Sequence, residues 1–219
     1  MIKAIIFDMD GVIIDSEPIH YDANKRIFDE LGIPITQSIY VKYIGVSNED
    51  MWNEIKNEYD LKQTVQELVD RQNLENLEHI KKYAKEPISG VVELLELLKN
   101  NSYKVALASS SPEILIKEVL EKFQLSKYFD VVVSAESVSR GKPKPDLFIY
   151  TAGLLNVKPR ECLVIEDSKN GVKAAKCAGM VCIGFNNPNS MNQDLSKADI
   201  IVENMNEITL ELIEKFNKD

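Results

Sequence analysis

Apolar and polar positions follow two rhythms along this chain. The stretch Ile2-Lys3-Ala4-Ile5-Ile6-Phe7 is an apolar run broken only by Lys3, and it stops at two carboxylates, Asp8 and Asp10, followed by Gly11. Such a run reads as a strand of a parallel sheet buried on both faces. From residue 17 to residue 83 the pattern is charge-rich with apolar positions at helical spacing. It predicts helices over 22–31, ending at Gly32, and over 48–59 and 65–83. From Pro87 onward short apolar runs alternate with helical segments. Strands are predicted over 104–108, 131–133, 162–165, 181–183 and 199–202. Helices are predicted over 91–98, 113–123, 146–155 and 171–178, and at the C-terminus. The chain has no internal repeat and no low-complexity segment.

This order predicts the α/β class: a doubly wound, Rossmann-like parallel sheet as the core, with an all-helical cap inserted after the first strand. The expected division is 1–15 plus 87–219 for the core and 16–86 for the cap. Ligands of open α/β sheets bind beyond the carboxyl ends of the strands. A helical insert leaving from that edge is placed to lie over the site.

Composition narrows the function. The 219 residues are 44% hydrophobic, enough for a substantial core, and carry a net charge of −9. That sign argues against nucleic acid or an anionic membrane as partner, and it requires local cations for any anionic substrate. No apolar run is long enough to span a bilayer. The N-terminus runs directly into a strand, so no signal peptide and a cytoplasmic location are expected. Cys162, Cys177 and Cys182 lie in apolar segments and read as small buried side chains, not as a disulfide frame or a zinc site. A monomer is the default expectation.

Polar groups gather at the predicted strand ends. Asp8 and Asp10 follow the first strand and share a face, and two acids so close call for a cation between them. Ser109, Ser110 and Ser111 follow the second strand, where they could equally cap the helix after Pro112. Glu166 and Asp167 end the strand 162–165, where an N-cap cluster is the other reading. Lys142, stiffened by Pro143 and Pro145, could serve the site or be a solvated loop charge. Coincidence at all four is far less probable than at one, and together they suit phosphoryl transfer. Asp8 would attack phosphorus, and Asp10 would protonate the leaving alkoxide and then activate water. Mg²⁺ on oxygen ligands including Asp8 and Asp167 would offset the repulsion between nucleophile and phosphate. Ser109, with Ser110 and backbone N–H groups, would hold the phosphoryl oxygens, and Lys142 would neutralise their charge.

The segments Asp8-Met9-Asp10-Gly11-Val12, Ala108-Ser109-Ser110-Ser111, Gly141-Lys142-Pro143-Lys144-Pro145-Asp146 and Ile165-Glu166-Asp167-Ser168-Lys169-Asn170-Gly171 resemble the four motifs of the haloacid dehalogenase superfamily. The resemblance covers nearly the whole chain. It is closest to the helical-cap branch that contains beta-phosphoglucomutase and sugar-phosphate phosphatases. It implies Asp8 as nucleophile, Asp10 as acid/base, and Ser109 and Lys142 as phosphate binders. It also implies Mg²⁺ held by the Asp8 carboxylate, the Asp10 backbone carbonyl and Asp167, with Glu166 in support.

Within that branch Asp10 favours a phosphatase or phosphomutase, because dehalogenases and phosphonate-cleaving members lack the second aspartate. A mutase must also hold a distal phosphate with cap cations. The turn Gly45-Val46-Ser47 is followed by uncharged Asn48 where the mutase has an arginine, and the lysine expected near Gln72 is missing. Arg71 and Lys42 are the possible substitutes. The favoured reading is a phosphatase acting on small phosphomonoesters such as sugar phosphates, with a phosphomutase as the alternative. The expected substrate readers in the cap are His20, Asn48, Glu49, Trp52 and Arg71. Their bland reading is a solvated helix face plus one core tryptophan. A non-enzymatic phosphoacceptor module is the remote alternative: it would be about half this length and would lack a cap.

Overall fold

The structure is a computed structural model that describes residues 1–44 and 46–217; Gly45, of the turn singled out above, lies outside them. Strand β1 (Ala4–Phe7) leads into four helices, α1 (Glu17–Glu30), α2 (Gln37–Tyr40), α3 (Asn48–Tyr59) and α4 (Val65–Tyr83). The chain then alternates α5 (Val91–Asn100), β2 (Lys104–Ser109), α6 (Glu113–Lys122), β3 (Val131–Ser134), α7 (Asp146–Leu154), β4 (Cys162–Glu166), α8 (Lys169–Cys177), β5 (Val181–Phe185), β6 (Ile200–Val202) and α9 (Leu210–Lys215). All strand pairs are parallel, in the order β3-β2-β1-β4-β5-β6. This is the doubly wound order expected from the alternation. Its switch point lies at β1, where a ligand crevice opens.

The period of two along each strand fills both faces. Ile5, Phe7, Val105, Leu107, Leu163 and Ile165 pack with α5, α6 and α9. Ala4, Ile6, Ala106, Ala108 and Val164 pack with α7 and α8, where Cys162 and Cys182 are also buried. Cys177 departs from expectation: it sits at the solvent-facing end of α8 and is exposed.

The inserted helices have a core of their own, in which Phe28, Tyr40, Trp52, Ile55 and Leu68 meet. Local signals set their limits. Thr64 and Glu67 close a reciprocal capping box at the start of α4, and Gly32 takes a positive φ just past α1. The far end of α4 straddles both bodies, since Ile80 and Ala84 pack into the sheet's own core. The two connections run side by side, with the Ile88 N–H donating to the Ile13 carbonyl at 2.9 Å.

Candidate active site

The register brings the strand ends to one edge. Phe7 pairs with Leu107 on one side and Ile165 on the other, so Asp8, Ser109 and Glu166 emerge together. After Asp8 the chain turns tightly: the Met9 carbonyl accepts from the Ile13 N–H at 2.7 Å, and Gly11 takes φ +72°. A Cβ on Gly11 would fall 1.8 Å from Asp167 Oδ2, and one on Gly171 would fall 1.6 Å from Glu166 Oε1. Both glycines let backbone close against the acids of the site.

Lys142 Nζ, fully enclosed, donates to Asp8 Oδ1 at 2.7 Å and Glu166 Oε1 at 2.6 Å. It is not a solvated loop charge. Burial alone would lower its pKa, but the two carboxylates outweigh burial and hold it above the usual lysine range. The other oxygen of Glu166 accepts from the Ser168 N–H and Oγ, both at 2.9 Å. Asp167 accepts from Ser190 Oγ. Burial, reinforced by their like-charged neighbours, pushes the Asp8 and Asp167 carboxyls well above the usual range.

Oxygens of Asp8, Glu166 and Asp167 lie within 4.8 Å of one another. Three buried acids faced by one lysine leave negative charge uncompensated, and the donors are all hard oxygens. The residues therefore fit Mg²⁺. Glu166 already accepts from Lys142 and twice from Ser168, whereas Asp8 and Asp167 each accept one such bond and are the less committed carboxylates for a metal.

Asp10 is surrounded differently. Its Oδ1 accepts from Ser16 Oγ at 2.5 Å and pairs with His20 Nε2 at 2.8 Å; its Oδ2 accepts from Ser111 Oγ at 2.6 Å and Ser109 Oγ at 3.3 Å. Burial opposes ionisation here, but the His20 charge and these hydrogen bonds prevail and keep Asp10 below the usual carboxylate range. Reciprocally, the Asp10 carboxylate outweighs burial and lifts His20 to about 9. The serines do not cap the next helix: its N-cap is Pro112, while Ser109 Oγ accepts from the Ser111 N–H at 3.0 Å.

A cavity of about 50 Å³ lies between these groups and the inserted helices, room for a few waters. Asn170 Nδ2 of α8 donates across the gap to the Ile44 carbonyl at 3.1 Å, so the helices are closed onto the sheet edge. Of the expected cap readers, His20 and Asn48 line this cavity, and Asn48 Nδ2 is held by Asn73 Oδ1 at 2.9 Å. Ser110 lines it from the core side. Glu49 lines an adjoining cleft of about 360 Å³ that shares Asn48 and Ser110 with the cavity.

Trp52 and Arg71 are not brought there. Trp52 is wholly buried in the helical core with its indole N–H on Gln72 Oε1 at 2.8 Å, where truncation to alanine costs about 3–5 kcal/mol. Arg71 pairs with Glu30 on the outer surface. Lys42 is exposed, bonded to Glu54 at 2.7 Å. Among the described residues no lysine or arginine lines the cavity from the helical side.

Sequence reasoning passed over Glu17, Gln72 and Asn76 as cavity-lining groups, while Ser111, noted at the end of the second strand, also lines the cavity. For Glu17 a signal existed: Ser16-Glu17-Pro18 is a helix start, with an N-cap residue and a proline in the first turn.

Fold and site together define an α/β protein with an acidic, lysine-braced centre at the switch point, closed over by inserted helices. Residues 5–185 match the family model of haloacid dehalogenase-like hydrolases, and the chain belongs to that family, as its motifs suggested. Among curated relatives, it is 36% identical to a phosphorylated carbohydrates phosphatase of Thermotoga maritima over 81% of this chain and 82% of that one. It is 34% identical to beta-phosphoglucomutase of Bacillus subtilis over 96% of this chain and 93% of that one. Among solved structures, beta-phosphoglucomutase of Clostridium difficile superposes with a TM-score of 0.88 at 29% identity, covering 100% of this chain and 98% of that chain.

Proposed function

We propose that this chain is a Mg²⁺-dependent phosphatase that hydrolyses small carbohydrate phosphomonoesters through an aspartyl phosphate. The observation that carries the reading is the distribution of charge about the cavity: Asp8, Asp10 and Asp167 line it from the core, with Lys142 behind them on Asp8, while among the described residues the helices bring His20, bound to Asp10, and no lysine or arginine. A bisphosphate intermediate, which a mutase must hold, needs a cation on the helical side, and Lys42 and Arg71 are committed to surface acids instead.

Asp8 attacks phosphorus, with Lys142 fixing one of its oxygens so that the other faces the substrate. Ser109, Ser110 and backbone N–H groups after β2 hold the phosphoryl oxygens. Asp10 delivers a proton to the leaving oxygen and then takes one from water; the His20 imidazolium beside it supplies and retrieves that charge. Asp8, Asp167 and the Asp10 carbonyl would hold Mg²⁺, with Glu166 bracing Lys142, and the bound ion would supply positive charge between nucleophile and phosphate.

Residues 16–86 act as a cap on the paired connections at 13–15 and 84–88, opening to admit substrate, since a sugar phosphate exceeds a 50 Å³ cavity. The proposed substrate is a small phosphorylated metabolite, taken by a cytoplasmic monomer. The test is a phosphate-release screen over sugar phosphates that includes beta-glucose 1-phosphate, with glucose 6-phosphate followed in parallel. Continuous phosphate release is expected. Glucose 6-phosphate as the main product would replace this reading with the mutase.

A further inference from the structure

The loop that follows β5, residues 186–190, has no part in the mechanism above, yet it reaches the buried acids. Asn187, about 6% exposed, donates from Nδ2 to the Gly11 carbonyl at 3.0 Å, so the loop docks on the turn that carries Asp10. Its Oδ1 accepts from the Asn189 N–H at 2.8 Å, and the Ser190 N–H returns to the Asn187 carbonyl at 3.1 Å. Asn189 Nδ2 donates to Asp15 Oδ2 at 2.5 Å, which ties the loop to the connection into the inserted helices. Met191 and Asn192, just beyond, take φ of +54° and +55°, a backbone shape that residues other than glycine seldom adopt. The path of the loop is thus set by its docking and not by local preference. At the end of that path Ser190 is enclosed, about 1% exposed, and its Oγ donates to Asp167 Oδ2.

We propose that Ser190 is a positioning residue for the metal: its hydroxyl fixes the Asp167 carboxylate in the orientation that meets Mg²⁺. This rests on the reading of Asp8 and Asp167 as metal ligands. Among the described residues Asp167 accepts no other hydrogen bond. Asp8 and Glu166 share the Lys142 ammonium, whereas Asp167 is given a neutral donor. Such a donor fixes direction without cancelling charge, so the acid keeps its attraction for a cation. Oδ2 is also the oxygen against which Gly11 closes: a Cβ there would fall 1.8 Å from Oδ2 and 2.8 Å from Ser190 Oγ. With Oδ2 wedged between the Gly11 backbone and Ser190, the other oxygen is the one left to a metal. Without the hydroxyl, repulsion from Glu166, Asp8 and Glu17 would turn the carboxylate with no bond to oppose it. The competing role is a clasp, in which the same bond only holds the loop in place.

The test is the Mg²⁺ affinity of the metal-free full chain by titration calorimetry, for wild type, Ser190→Ala and Ser190→Thr. Melting temperatures taken without Mg²⁺ verify that each variant is folded. Alanine removes the hydroxyl and threonine keeps it. Loss of a group that orients a metal ligand typically lowers affinity 10–100-fold, so the Kd of Ser190→Ala should rise by about that factor, while Ser190→Thr stays within about three-fold of wild type. Ser190→Cys, of similar size but a weaker donor, should fall between them, and it takes the place of alanine if that variant does not fold. The Mg²⁺ concentration for half-maximal phosphate release should rise in step with Kd, by more than the rate at saturating Mg²⁺ falls. An unchanged Kd in folded Ser190→Ala overturns the positioning role. So does a loss in folded Ser190→Thr as large as that in Ser190→Ala, which would mark a clasp. The titration needs no substrate, so it judges Ser190 apart from the phosphatase reading. Wild type that binds no Mg²⁺ refutes the metal reading and this inference with it.

Discussion

Lys142 carries its charge in complete burial because two carboxylates flank it at hydrogen-bond distance. The same geometry orients Asp8 and Glu166, so one cation serves both charge balance and alignment. Gly11 works from the opposite direction, by what it leaves out. At its positive φ any other residue is strained by roughly 1–2 kcal/mol, and a methyl group would enter the space of Asp167 Oδ2. Gly11→Ala is therefore expected to lower the melting temperature and to weaken Mg²⁺ binding together, read by thermal denaturation and by titration calorimetry. Unaltered Mg²⁺ affinity in a folded Gly11→Ala protein would contradict the placement of Asp167 at the metal. Asp8, Gly11, Glu166 and Asp167 were legible in the sequence because each lies within a few positions of a strand end, whereas Lys142, in the loop after β3, was legible from its flanking prolines and the family motif.

At the scale of elements, legibility was uneven. The strands carry their own signature of unbroken apolar runs, and the sheet order follows from alternation with helices, so β1, β2 and β4 delivered Asp8, Ser109 and Asp167 to one edge as expected. Helix α1 was expected from residue 22 and starts at Glu17. Those five residues hold Glu17 and His20, which is why Glu17 escaped notice. Ser16, at the N-cap position, spends its hydroxyl on Asp10 instead of on the helix. Trp52 and Arg71 were misplaced for another reason: which face of α3 or α4 turns inward depends on packing among helices, and helical spacing alone does not choose it. The turn of α1 also sets a pH dependence. His20 is raised from its ordinary 6.5 to about 9 in the fold, so its pairing with Asp10 stabilises fully below pH 6.5 and the gain is lost as pH rises through 9. Wild type should exceed His20→Gln in stability by on the order of 2–3 kcal/mol near pH 6. That margin should shrink toward pH 9.5 in chemical denaturation. A margin flat across this range would show that His20 is not charged in the fold.

The whole molecule joins a sheet edge that carries the buried acids to the inserted helices that lie over it. The sheet fixes the reacting carboxylates, and the inserted helices close over them through contacts such as Asn170 to the Ile44 carbonyl, shutting the cavity to a few waters. In the proposed reaction this cover keeps out bulk solvent while the linked Asp10–His20 pair carries the proton. Lys142 stands on the core side, and among the described residues His20 is the cation the inserted helices bring to the cavity, an arrangement that suits the proposed binding of a single phosphate. Among the described residues no helix is long and apolar enough to cross a membrane. The central claim is that Asp8 is the nucleophile of a hydrolytic reaction. The most direct measurement is steady-state phosphate release from a carbohydrate monophosphate with Mg²⁺ present, for wild type and Asp8→Asn, with chelation by EDTA as a third arm. The account predicts continuous release by wild type, a fall of ~10³-fold or more in Asp8→Asn, and loss on chelation that added Mg²⁺ restores. Near-normal release by a folded Asp8→Asn protein would contradict it.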